Sequence, residues 1–302
     1  MDRERRKQIL SRRVPGWISG LLVLGSLGAL LLLERRRPLR ERKTGESKLR
    51  RDGRNLAMAA LSAAAIGLVE KPVVEPLAHK VVDRRWGLLQ RRPLPVPLEL
   101  FLTIALLDYT LYIWHVLTHK VPLLWRFHQS HHVDLDMDAT TAVRFHFGEM
   151  VLSAPWRAAQ VLLIGSSPLG LALWQTITTV EILFHHSNTR LPAGFERYLG
   201  KLIVTPRMHG IHHSIVREET DSNWSTIFTW PDALHRTLRL NVPQREITIG
   251  VAAYQDPAEL TLGKIIALPL TASRPSWRLV DDGTPVRRPA ELPNLPRTAL
   301  AG

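Results

Sequence analysis

Apolar residues along this chain come in long uninterrupted runs, not in the short stripes of a water-soluble domain. Residues 17–33 and 55–69 carry no charge, and neither does the longer run 158–180. Runs of that length predict helices that lie in a membrane. As helix, 17–33 extends about 25 Å against a hydrocarbon core of about 30 Å. Trp17 at one interface and arginines that snorkel at the other make up the difference. The segment reads as an anchor, because it is too long and too heavily flanked by charge for a cleaved signal peptide. Residues 98–114 form a fourth span, interrupted by Glu99 at its start and Asp108 inside it. Gly165-Ser-Ser-Pro168 falls near the centre of the third run and breaks it, so 151–164 and 169–184 are expected to form a shallow hairpin.

The polar positions sort the spans. The loop 34–54 holds ten Lys/Arg, against six before Trp17 and six between Lys71 and Arg92. The positive-inside rule places the ten in the cytoplasm, and two further spans return the chain to that face near His115. Most of the formal charge of +13 belongs to these flanks, where it attracts anionic head groups. Nucleic acid is a poor partner, since the basic residues border apolar runs and carry no recognition motif.

Histidine supplies the chemistry. His128-Gln-Ser-His131-His132 and His209-Gly-Ile-His212-His213 repeat one rare pattern, and His115-x3-His119 precedes the first. On a helix, spacings of three and four put the imidazoles of each motif on one face. Neutral imidazole is the commonest metal ligand, and eight such rings suffice for two ions. The two motifs can share a site only if the hairpin returns the chain to the face it left. With no cysteine in the chain, neither disulfides nor thiolate ligands are available. A set of histidines suits iron, zinc, copper and nickel alike. Asp108 lies two helical turns before His115 and is expected to orient it through the second ring nitrogen, or else to pair with an arginine. Asn223 is expected to orient a ligand or to form a turn within Asp221-Ser-Asn223.

These motifs, with Phe184-His-His186-Ser-Asn188 and Thr205-Pro-Arg-Met-His209, strongly resemble the fatty acid hydroxylase/sterol desaturase superfamily of integral membrane di-iron enzymes, over about residues 98–240. The resemblance implies two iron ions, O2 reduced with two external electrons, and oxidation of an unactivated C–H bond of a lipid, by hydroxylation or desaturation. The lipid is a sterol, fatty acyl chain, carotenoid or related molecule. It also implies the ligands His115, His119, His128, His131, His132, His209, His212 and His213. The ninth is His186, which matches the family's Phe-Gln-His-x-Asn, with His185 in the place of glutamine. His146, in Arg144-Phe-His-Phe-Gly-Glu149, resembles the family's Arg-Phe-His-Pro-x-Glu apart from Phe147, and reads as structural or as lying behind the ligands. His79 and His235 fall outside the motifs. No haem or flavin domain is visible, so electrons are expected from a separate ferredoxin or cytochrome-type donor; Arg126, Arg207, Arg217, Arg236 and Arg239 are expected either to dock it or to contact lipid head groups.

The expected architecture is all-α, with about four transmembrane or hairpin helices and a cytoplasmic histidine-rich helical cap holding a dimetal site. Residues 1–97 form an N-terminal membrane anchor, 98–240 the catalytic domain and 241–271 a C-terminal cap segment, in which Gln244–Leu268 is expected as a strand or a short helix beneath the site, with Asp256-Pro-Ala-Glu-Leu as a helix start. Residues 272–302, with five prolines, read as a disordered tail. The expected location is a bacterial inner membrane. From another class, the histidines also fit a membrane metal-ion binding or transport protein, whose ligands would lie along a path at mid-membrane.

Overall fold

A computed structural model describes residues 3–281 and 283–287. Among them there is no strand, and the architecture is a helical bundle. A short α1 (Arg3–Leu10) leads into α2 (Gly16–Arg36). Next, α3 (Lys48–Ala65) continues through a π-helical turn (Ile66–Glu70) into α4 (Lys71–Arg84) as one long rod. Helix α5 (Val96–Lys120) is followed by the short α6 (Pro122–His132), then by the pair α7 (Phe147–Ile164) and α8 (Pro168–His186). Beyond them come α9 (Ala193–Leu199), α10 (Pro206–His212), α11 (Arg217–Thr220), α12 (Trp230–His235) and α13 (Leu262–Ala267). Among the described residues, three helices are long and apolar enough to cross a membrane: α2, the α3–α4 rod, and α5.

The hairpin breaks where Gly and Pro predict, but it is not shallow. Gly165 ends α7 with a left-handed φ of 83°, and Pro168 starts α8 behind the Ser167 cap. Its turn packs against the loop after α4: Leu88 and Leu89 donate backbone N–H groups to Leu163 and Ile164, and Gln90 bridges the Gly165 carbonyl and Glu99 at the start of α5. Gly87 is required there, because a Cβ would stand 2.3 Å from the Gly165 nitrogen. Arg6 of α1 joins Glu99 in the same place. The α7–α8 pair therefore runs from the histidine end of the bundle to its opposite end. Eighteen and nineteen helical residues make that possible, and a core of Val81, Leu107, Val161, Leu171 and Trp174 holds them against α4 and α5.

Residues 1–97 share a core with residues beyond 98. Met58 of α3 is buried with Val133, Leu135 and Val251. Arg51, fully buried, spans Asp134, Asp138 and Thr141, while Asn55 holds Asp134 and Thr140. Six of the ten cations of the 34–54 loop have partners within the protein: Arg40 with Pro206 and Gln244, Arg42 with Asp136, Lys43 with backbone carbonyls, Lys48 with Asp138, Arg51 as above, and Arg54 with Glu46; of these Arg40, Arg51 and Arg54 are buried. The three buried ones serve folding and not the attraction of head groups, because an unpaired buried charge is costly.

After α12 the chain makes single turns rather than strands, with Asp256 capping a 3-10 turn at Pro257–Glu259 ahead of α13. The described part of the segment expected to be a disordered tail is pinned down. Trp277 stacks on Trp125 at 5.6 Å, Ser276 meets Trp125 and Gln129, Arg274 pairs with Glu259, and Arg287 pairs with Glu219. Proline richness had hidden these few anchoring side chains. Residue 282 and residues 288–302 of that segment lie outside the described residues.

Candidate metal centre

Four short elements carry the nine histidines to one point. The last turn and a half of α5 presents His115 and His119, α6 presents His128, His131 and His132, the end of α8 presents His186, and α10 with the residue after it presents His209, His212 and His213. Pro122 restarts the chain directly after α5, and Pro206 opens α10 at its first turn, where a missing N–H costs nothing. The rings fall into two groups whose nitrogens lie within 4.8 Å of one another: His115, His119, His128, His132 and His212, and His131, His186, His209 and His213. The groups adjoin, with the His132 and His213 rings stacked at 4.3 Å. His186 belongs to the second group, and its neighbour His185 to neither.

The first group is held from outside. His115 Nδ1 donates to the Trp224 carbonyl at 2.7 Å and His212 Nδ1 to the Ser222 carbonyl at 2.8 Å. His128 Nδ1 donates to the buried carboxylate of Glu149 at 3.0 Å. Each bond fixes the tautomer and leaves Nε2 free to coordinate. In the second group, His186 Nε2 lies 3.0 Å from His131 Nε2 and 3.1 Å from His209 Nε2, and His209 Nε2 lies 3.2 Å from His213 Nε2. Nitrogens bound at about 2.1 Å to one ion and at right angles stand about 3.0 Å apart, so these spacings fit one coordination sphere.

Two further observations agree with bound cations. Buried ring nitrogens without a hydrogen-bond partner occur in the first group at His128 Nε2, His212 Nε2 and both nitrogens of His119 and His132. A buried polar atom left so is costly unless a metal or water completes it. Burial, and then the neighbouring rings, hold His131, His132, His209 and His213 well below the ordinary imidazole range, and His212 is pushed down to about 3. Unprotonated rings with inward lone pairs are what a metal needs.

Behind the rings runs the loop 222–228. Its carbonyls at Ser222, Trp224 and Thr226 receive His212, His115 and His185. Its amides go the other way: Trp224 and Ser225 donate to Asp232, Ile227 and Phe228 to Asp108. Asp108 therefore does not touch His115. It caps two amides of the strap behind the histidines, since a carboxylate inside a bundle is stable where backbone donors meet it. Asn223 takes a left-handed φ of 53° and ties the Met208 and Arg239 carbonyls together, next to His209. His146 caps α7 by accepting from Gly148 and meets the Ile266 carbonyl, so its role is structural. His235 stacks on Tyr109 and Tyr112, and His79 lies near Arg13.

Glu149 and Asp232 were not singled out from the sequence. Glu149 was readable in Arg144-Phe-His-Phe-Gly-Glu149, whose last member was passed over for its histidine. Asp232 had no signal, because its partners are backbone amides seven and eight residues earlier. Two of the arginines expected to dock a donor or contact head groups have partners within the protein, Arg126 with the Pro269 and Thr271 carbonyls and Arg207 with Glu196, while Arg217 stays mostly exposed beside Asp221.

Residues 100–237 match the fatty acid hydroxylase family. The chain is 28% identical over 172 residues to the ornithine lipid hydroxylase of Rhizobium tropici, covering 56% of this chain and 48% of that one. It is 27% identical over 146 residues to human cholesterol 25-hydroxylase, with 47% and 52% covered. It is also 27% identical over 155 residues to the alkylglycerol monooxygenase of Xenopus tropicalis, with 51% and 33% covered. The chain thus spans about half the length of the first two of these relatives. No solved structure matches it.

Proposed function

We propose that this chain, which belongs to the fatty acid hydroxylase/sterol desaturase superfamily, is a membrane-bound di-iron oxygenase that uses O2 and external electrons to hydroxylate or desaturate a C–H bond of a lipid. One observation carries the reading: nine inward-facing histidines form two adjoining nitrogen-only groups at one end of an apolar bundle. Two irons bound there would supply the oxidant for a bond that no side-chain acid or base can break. Hydroxylation consumes R–H, O2, two electrons and two protons and yields R–OH and water; desaturation takes the same inputs and yields a double bond and two waters.

The chain's own residues hold His115, His128 and His212 in one tautomer through Glu149 and the Ser222 and Trp224 carbonyls, and bury seven of the nine imidazoles away from bulk water. Sterols, fatty acyl chains and carotenoids fit the apolar setting, and the relatives' lipid substrates support that class. Electrons come from a separate ferredoxin or cytochrome-type donor, for which Arg217, Arg236 and Arg239 are candidate docking cations. A metal carrier would string its ligands along a path through the bundle, whereas these nine sit at one end.

Lipid profiles of cells with and without the gene test the reading. Expected is an oxygenated or more unsaturated lipid in the producing cells, lost in His131→Ala and His212→Ala, with about two tightly held irons per purified chain. Unchanged lipids together with exchangeable zinc would overturn it. The histidine end is proposed to face the cytoplasm of a bacterial inner membrane. Single cysteines at exposed Gly45 and Glu218 should then react with a reagent confined to the cytoplasm, and one at Arg92 should not.

A further inference from the structure

Large apolar side chains are exposed on one side of the histidine end, outside the apolar helices. Phe195 and Tyr198 of α9, Leu202 after it, and Trp230 and Leu234 of α12 form this group, with Leu202 68% and Leu234 62% exposed. Water-facing proteins rarely leave so many together. Their level is set by α5. Trp230 stacks on Tyr109 at 5.2 Å, His235 stacks on Tyr112 at 5.1 Å, and Asp108 receives the Ile227 and Phe228 amides. Tyr109 precedes His115 by six residues, about 9 Å of helix, so α12 and the strap lie on the membrane side of the metal centre.

We propose that α9, Leu202 and α12 are seated in the bilayer surface, with their apolar side chains among acyl chains, so that the strap fixing the histidine rings borders lipid and not water. The surface is continuous with α5, one of the helices fit to cross a membrane. Its backbone is equipped for that setting. Irregular chain at membrane depth survives only where its polar groups are satisfied inside the protein. Here the Val204 amide reaches the Ile227 carbonyl, the Thr229 amide reaches the Leu202 carbonyl, and Asp108 and Asp232 take four more.

Charge identifies the occupant as lipid. Arg36, Arg37 and Arg190 line a groove of about 490 Å³ at the rim where α2 ends, and Arg197 and Lys201 flank the Tyr198 ring at 5.6 and 5.4 Å. Cations bordering aromatic and aliphatic side chains match a layer of anionic head groups over acyl chains. A bilayer lipid could then approach the site sideways, past Trp230 and Leu234. The inference rests on the bundle crossing a membrane, but needs neither bound metal nor turnover.

The absence of cysteine makes the test direct. Single cysteines at Tyr198, Leu202 and Leu234 carry nitroxide labels in vesicles of phosphatidylcholine and phosphatidylglycerol. A fourth at Arg245, 88% exposed on its side chain, is the reference in water. Collisions with dissolved oxygen should exceed those with a water-soluble nickel complex at the first three positions, and the order should reverse at Arg245. Nickel-dominated collisions at all three would place the surface in water and overturn the proposal. Protection from both reagents would show a protein covering it, which overturns it equally. Because the readout needs no activity, an inactive protein that still gives the lipid pattern would separate this proposal from the catalytic one.

Discussion

The two histidine groups are built on different physical principles. In the five-membered group three rings are tethered through Nδ1 to fixed acceptors, two carbonyls of the strap and the Glu149 carboxylate. In the four-membered group only His186 has such a tether, to the Ile182 carbonyl of its own helix, and the Nε2 atoms face one another at 3.0–3.2 Å. A ring held by the protein keeps its direction with or without an ion. In neutral rings the Nε2–H of His131 or of His209 can donate to the His186 Nε2 lone pair, so this group is held largely by its own members and has few fixed acceptors outside it. The first group is preorganised by its surroundings; the second, tied mainly ring to ring, should depend more on a bound ion for its geometry.

The largest effect should come from removing one ring of each. His212→Ala and His131→Ala should both abolish turnover, and each should cost the ion of its own group while the neighbouring ion is weakened through the shared wall of His132 and His213. Iron per chain by elemental analysis checks this. Wild-type iron content in either variant would dissolve the two-group description. At the second group, His186→Ala should lose metal and turnover, whereas His185→Gln should keep most of both. His185 is held by the Thr226 carbonyl and lies outside the group. The reverse result would move the ninth ligand to His185.

Glu149→Gln sharpens the contrast at a smaller scale. It keeps the volume but weakens the charge-assisted bond to His128 Nδ1, so metal affinity should fall about 10–100-fold at the first group and stay near wild type at the second. Competition with a chelator measures both constants. Equal losses would mean that the groups act as one.

How much of this could be read from residues alone follows range of interaction. The histidine faces were legible because i+3 and i+4 spacing is local, and the hairpin was legible from Gly165 and Pro168. What stayed hidden acts across the chain. Arg51 looked like one of ten flanking cations, yet its partners are Asp134 and Asp138, more than eighty residues away. Hairpin depth depended on where Gly165 meets Gly87 and Gln90, which periodicity does not encode. Asp108 was noticed as an acid inside a span, but its partners are amides of Ile227 and Phe228, and backbone donors leave no mark in side-chain sequence.

The finest test of the comparison uses the two carboxylates behind the strap. Asp232 holds the Trp224 and Ser225 amides, and the Trp224 carbonyl holds His115, so Asp232 supports the first group. Asp108 holds Ile227 and Phe228, beside the Thr226 carbonyl that meets His185, whose ring lies 4.1 Å from that of His209 in the second group. Replacing either by Asn leaves an amide NH2 against a backbone N–H and should cost about 1–3 kcal/mol of stability. The melting temperature should therefore fall similarly in both. Metal binding should not follow suit. Asp232→Asn should loosen His115 and weaken the first ion by a few-fold, while Asp108→Asn should leave that ion unchanged and act weakly, through His185, on the second. Equal metal losses at equal destabilisation would reduce the strap to a generic support, and the difference in how the two groups are held would then lie in Glu149 and the ring contacts alone.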